Sequence, residues 1–231
     1  MAERMKGLLP LAIAVALVAF VYVELALNFT FHWATDGDLG NGLSLPKNFH
    51  FAAPAAFVAW ALFFVLGGDG TAARRVSIGS VFGCGAALAL FVFVTLTKGL
   101  PDFWTISLGV AVLAGILVVL GGLGEWFVIP VTFATFASCL FWWIATGLDG
   151  WADLGGGVGN SIQALGKPAT AGAGAFGGVI STPYGWVAVN VFVTLMVGVL
   201  CGLASARLAA VLTPKPATTR APDSGGAAPA H

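Results

Sequence analysis

The sequence predicts an all-α membrane protein, a polytopic bundle of six transmembrane helices, and three observations carry that prediction. Only 9% of the 231 residues are charged, and mean hydropathy is +0.95. Six apolar stretches, at 7–28, 51–67, 76–97, 103–123, 126–147 and 185–212, read as membrane spans, since a helix needs roughly 20 apolar residues to cross a hydrocarbon core of ~30 Å. They lack the alternating polarity of the ~10-residue strands of an outer-membrane barrel. Backbone in lipid must pair within its own segment, so helices follow. Residues 1–212 form the transmembrane domain, and 213–231, rich in Pro, Ala, Thr and Ser, form a disordered cytoplasmic tail.

The first span begins with Arg4 and Lys6 and is too long for the apolar region of a signal peptide, so it stays as an anchored helix. It carries Glu24, the one ionisable side chain well inside a span. A mid-membrane carboxylate costs about 2.5–3.5 kcal/mol on insertion scales, so Glu24 should face protein or water. Asn28, one turn on and on the same face, can share a hydrogen bond with it. An outer loop at 29–50 follows. Its His32, Asp36, Asp38 and His50 are the only conceivable metal set, and they lack calcium-loop spacing, so no metal is expected.

Pro54 and Pro130 begin spans two and five, where a missing amide proton does least harm. Trp60 shares a face with Phe57 and Phe64 at the middle of span two, either as a constriction or as packing. A short inner loop at 68–75 brings Arg74 and Arg75 to the membrane surface. Span three carries Ser77, Ser80, Cys84 and Thr95, span five Thr132, Thr135, Cys139 and Thr146, and span six Asn190, Thr194, Gly198, Cys201 and Ser205. Spacings of three and four put each set on one helix face. Such faces line a polar route or let helices approach closely, and Gly79/Gly83 and Gly198/Gly202 have the small-xxx-small spacing of packing seams. The three cysteines fall inside spans, as packing residues rather than disulfides. Pro101 marks a tight turn at 98–102, and the link at 121–125 makes spans four and five an antiparallel hairpin. The Gly-rich loop at 148–184 is either an outer cap or a re-entrant segment.

Lysine and arginine counts orient the chain. With a cytoplasmic N-terminus the inner segments hold seven (Arg4, Lys6, Arg74, Arg75, Arg207, Lys215, Arg220) and the outer three (Lys47, Lys98, Lys167), so both termini are expected in the cytoplasm. Trp33, Trp104, Trp142, Trp143, Trp151 and Trp186 then fall at or near the outer boundary and Trp126 at the inner one, as an aromatic belt. Ala55–Gly70 (AAFVAWALFFVLGGDG) and Thr135–Gly150 (TFASCLFWWIATGLDG) both close an aromatic span with Gly-x-Asp-Gly, one running inward and one outward. An inverted three-plus-three repeat requires that pattern, although Gly-Asp turns also close unrelated membrane helices.

Phe57–Gly68 (FVAWALFFVLGG) and Phe127–Phe141 (FVIPVTFATFASCLF) resemble the bacterial YcdZ-like inner-membrane family, a domain of unknown function. The likeness spans about residues 50–145 and implies a multi-pass protein of the bacterial inner membrane, with no catalytic residues to carry over.

Zero formal net charge gives no footprint for nucleic acid. No phosphate loop, nucleophile elbow or catalytic carboxylate pair occurs, so neither an enzyme nor a cofactor is expected. The expected function is a channel or facilitator for a small neutral or weakly charged solute. Glu24, Asn28, Trp60, Asn190 and Thr194 are its candidate path residues, with membrane lipid and further copies of the chain as partners. Two alternatives stand beside it: a proton-coupled secondary transporter cycling Glu24, and a non-transporting structural or accessory subunit whose polar stripes are dry helix contacts.

Overall fold

The computed structural model describes residues 2–30, 48–97, 103–146, 148 and 182–213, and among these the regular structure is all helical. Six α-helices follow in order: α1 (Ala2–Asn28), α2 (Ala53–Val65), α3 (Gly70–Leu96), α4 (Trp104–Leu120), α5 (Ile129–Ala145) and α6 (Tyr184–Leu212). Four helical stretches, Arg4–Asn28, Gly70–Leu96, Trp104–Leu123 and Tyr184–Leu212, are long and apolar enough to cross a membrane. The other two expected spans come out short. Helix α2 has 13 residues and α5 has 17, about 20 and 26 Å at the helical rise, against a core of ~30 Å. The proline near each start explains the late onset: Pro54 and Pro130 sit in the first helical turn, and a proline's ring clashes with a helical carbonyl four residues earlier, so neither helix can extend back past it.

Helices α3 and α6 form the centre and touch each other. Most of α2's packing, and most of α1's, is against α6, while α5 packs chiefly on α3 and α4 lies on α3 as well. Both main crossings are glycine-mediated. A Cβ on Gly83 of α3 would overlap Thr135 Oγ1 and come within 2.8 Å of the Phe136 amide nitrogen on α5, and one on Gly79 would come within 2.9 Å of Val131 Cβ. On α6, a Cβ on Gly198 would overlap the Ala56 carbonyl oxygen of α2, and one on Gly202 would meet the Phe63 ring at 2.5 Å. Without side chains at these four positions the backbones come close enough for extensive dispersion contact, the main attraction between helices where the solvent is as apolar as the protein.

Two sequence expectations are corrected. Arg74 and Arg75 are not in a loop: Asp69 Oδ1 accepts the Ala72 amide proton at 2.8 Å and caps α3, which starts at Gly70 and carries both arginines in its first turns. The cap wins because the orphan amides at a helix start need acceptors. Arg75 then reaches Glu125 in the α4–α5 turn at 3.8 Å. Trp142 and Trp143 do not face outward as belt residues; they are 2% and 1% exposed, with Trp143 packed on Phe91 at a ring separation of 4.9 Å. Their large indole rings fill the space between helices. Residues 1, 31–47, 98–102, 147, 149–181 and 214–231 lie outside the description, and with them His32, Asp36, Asp38, the tail and nearly all of the 148–184 loop.

Candidate functional site

The chain enters α2 through a non-helical segment, Asn48–Ala52, whose backbone groups are held by side chains of α1 and α6. Asn190 Nδ2 donates to the Asn48 carbonyl at 2.9 Å, and Thr194 Oγ1 accepts the Ala52 amide at 3.2 Å. Thr30, just beyond α1, accepts the Phe51 amide at 3.1 Å, and the Tyr22 hydroxyl donates to the Ala53 carbonyl at 3.0 Å. Asn190 and Thr194 lie about 9 and 15 Å along α6 from its start, so the segment runs well inside the helical layer. Irregular backbone is tolerated at such depth only where protein satisfies it; Asn190, Thr194 and Thr30 do so for the Asn48 carbonyl and the Ala52 and Phe51 amides, and Tyr22 for the first carbonyl of α2. The donor that the Asn48 carbonyl requires also sets the orientation of the Asn190 amide. Asn190 Oδ1 is then buried with no hydrogen-bond partner among the described residues.

Beside this segment lies a groove between α2 and α5, of ≈ 440 Å3, walled by Ala55 and Val58 on one side and Ala134, Ala137, Ser138 and Phe141 on the other. Pro54 and Trp142 close its end and also line an adjoining hollow of ≈ 400 Å3 that reaches Val23 and Leu27 of α1. The lining is almost wholly apolar. Ser138 Oγ is the one side-chain hydroxyl, and it donates back to the Ala134 carbonyl at 2.8 Å. Such a groove suits a small solute of low polarity, with weak and few hydrogen bonds.

The five candidate path residues do not converge. Asn190 and Thr194 share the clamp on the α2 approach. Trp60 is buried between α1, α2 and α6 with Tyr22, Ala26, Ala56 and Cys201, stacked on Phe57 at 5.7 Å. Its Nε1 has no acceptor among the described residues. Glu24 is exposed on the outer face of α1, and Asn28 Nδ2 donates to its Oε1 at 2.9 Å. Most stripe hydroxyls turn back onto their own helix: Ser77, Ser80, Thr95, Thr132, Thr146 and Ser205 each donate to a carbonyl three or four residues earlier. Thr135 does so as well and also reaches the Gly79 carbonyl across the α3–α5 crossing at 3.2 Å. Cys139 and Cys84 meet at the same crossing, with their sulfurs 3.4 Å apart.

Tyr22, Thr30, Ser138 and Trp142 carry site roles that the sequence reading did not assign. The one available signal was Pro54, which delays α2 and leaves amides just before it in need of acceptors. No family model, no curated protein and no solved structure matches this chain.

Proposed function

We propose that the chain is an integral membrane channel or facilitator for a small neutral or weakly charged solute, with the α2–α5 groove as its solute site. In this reading all six helices cross the bilayer, α2 and α5 completed by the irregular backbone at their ends. The halves α1–α3 and α4–α6 are then an inverted repeat, since three crossings reverse the direction of the second half.

The observation that carries the reading is the position of the two short helices. In inverted-repeat transporters, short or proline-interrupted segments at corresponding positions of the halves mark the substrate site. Here they are α2 and α5, and the groove lies between them. Their C-terminal ends agree in detail. Gly68 donates to the Phe63 carbonyl at 2.9 Å with φ +71°, and Leu148 donates to the Trp143 carbonyl at 2.9 Å with φ +57°. A leucine in left-handed geometry is uncommon, and the pairing of Ala55–Gly70 with Thr135–Gly150 sets it opposite Gly68. The same pairing sets Ala56 opposite Phe136, and these two face Gly198 and Gly83. Pairing Gly83 with Gly198 in turn carries Gly70–Leu96 onto Gly185–Val211, within one residue of α6 at either end.

The lysine and arginine distribution supports an inner-membrane orientation with both termini cytoplasmic, and the lipid-facing outer helices leave room for assembly of several copies. The stretches that resemble the YcdZ-like family hold core residues such as Phe63, Phe127, Phe136 and Cys139, so that likeness speaks to packing and adds nothing to the solute. A second reading, an accessory subunit with no solute, is favoured by the stripe hydroxyls that turn back onto their own helices. A proton-coupled transporter built on Glu24 fits less well, because that carboxylate faces away from the groove.

Osmotic swelling of proteoliposomes with urea, acetamide, glycerol, ammonia and water, beside empty liposomes, separates these. Selective swelling with one solute, lost when Ala137→Trp fills the groove from its exposed wall, is the expected result. No swelling with any of them overturns the channel and leaves the accessory reading.

A further inference from the structure

The packing of α1 fixes the depth at which Glu24 meets lipid. Tyr22 and Ala26, on either side of it in the chain, pack with Ala56, Trp60 and Cys201. Ala56 lies against Gly198, the central residue of the 29-residue α6. From Gly198 it is about 14 Å along α6 to the exposed Arg207 and about 18 Å to Trp186. An arginine and a tryptophan are boundary residues, and together those distances match a hydrocarbon core of ~30 Å. Glu24 therefore stands close to the bilayer midplane. It is exposed there, while Tyr22 and Ala26 are buried on the opposite side of the helix. The hollows flanking α1, toward α6 and toward α2, are not lined by it. Among the described residues its side-chain partner is Asn28, whose Nδ2 donates to Oε1 at 2.9 Å.

A carboxyl group at mid-membrane is costly against lipid tails, which neither donate nor accept. This face calls for a partner with hydrogen-bonding groups at the same depth. A second copy of the chain necessarily has them, because copies inserted in one orientation carry Glu24 and Asn28 at one level. The pair is also self-complementary, since a carboxyl group with its proton and an amide each both donate and accept. The apolar residues around Glu24 suit a helix partner. Ile13, Leu17, Phe20, Glu24 and Leu27 are all exposed and recur at spacings of four and three. That is the seam of a parallel helix pair, in which a single polar position sets register and the number of strands. We propose that two copies pair through this face of α1 about a two-fold axis along the membrane normal, with Glu24 and Asn28 of each hydrogen-bonded across the seam.

Energy transfer between differently labelled full-length chains in liposomes, followed as lipid is added, measures the monomer–dimer equilibrium. The wild type should dimerise. Glu24→Leu should raise the dimer dissociation constant about tenfold, the scale of a polar contact between helices in lipid. Glu24→Gln keeps a donor and an acceptor and should stay within about twofold of the wild type. Mild oxidation locates the interface: Phe20→Cys should cross-link the two copies, whereas Val112→Cys, on the exposed face of α4, should not. The three native cysteines are buried and serve as background. A wild type that stays monomeric at every lipid ratio overturns the proposal, leaving lipid or a different membrane protein against Glu24. So does Glu24→Leu pairing as tightly as the wild type, Glu24→Gln pairing as weakly as Glu24→Leu, or cross-linking through α4 in place of α1. None of these readouts involves a solute, so the channel reading stands or falls separately.

Discussion

Asn190 and Thr194 show how a polar side chain inside an apolar bundle is put to use. Each lies fully buried on α6, and each pairs with backbone that proline has withdrawn from a helix. Thr194→Val keeps the shape of the side chain and leaves the Ala52 amide unpaired. A buried orphan of this kind costs about 1–3 kcal/mol, so the variant should melt several degrees below the wild type in detergent. Thr95→Val is the comparison, because Thr95 only returns a bond to the Phe91 carbonyl of its own helix, whose amide bonds persist without it. Its melting point should change little. If the two variants melt alike, the Thr194 hydroxyl does not hold the α2 approach.

At the scale of the helix, the glycines of α3 divide by what lies opposite them. Gly83 abuts α5 so closely that a methyl group there must displace Thr135 or the α5 backbone, whereas Gly85, two residues on, has nothing within 4 Å of a built Cβ. Gly83→Ala should therefore destabilise by the ~1–3 kcal/mol of an overpacked core or more. Gly85→Ala should be neutral or stabilise by about 0.5–1 kcal/mol through helix propensity. Unfolding in a mixed-micelle titration measures both. Under the repeat, Gly198 stands where Gly83 does, and Gly198→Ala should cost about as much. A tolerated Gly198→Ala beside a damaging Gly83→Ala would separate the two crossings and weaken the repeat. These seams were readable in the sequence because a spacing of four is all that a glycine seam requires. The partner of each seam was not: nothing in α3 says that its Gly79–Gly83 face takes α5 rather than α4, the helix that follows it directly.

For the whole molecule, the groove between α2 and α5 makes a prediction independent of the clamp. Filling it with Ala137→Trp should abolish solute-driven swelling while leaving the melting point near that of the wild type, because Ala137 is exposed and its new indole displaces no core side chain. A variant that swells like the wild type would remove the groove from the solute path. The same scale explains why the five candidate path residues failed to converge. Glu24 and Asn28 are on the outer side of α1, Trp60 between α1, α2 and α6, and Asn190 with Thr194 against the α2 approach. Residue chemistry singled them out one by one, Trp60 as an aromatic constriction and the others as polar groups within apolar spans, and the bundle places them differently: on its surface, in its packing, and against stray backbone.

The all-helical class, the existence of the six described helices and the positions of the packing glycines were determined by the sequence alone. Each follows from local chemistry: apolar length against bilayer thickness, backbone that must pair within its own segment, and small residues at helical spacing. Tertiary structure decided how far α2 and α5 extend as helices, that Trp142 and Trp143 lie inside, and that Asn190 and Thr194 serve the backbone. Those outcomes depend on which helix lies opposite which, and an apolar helix face in an apolar solvent carries no mark of its partner until the two are packed.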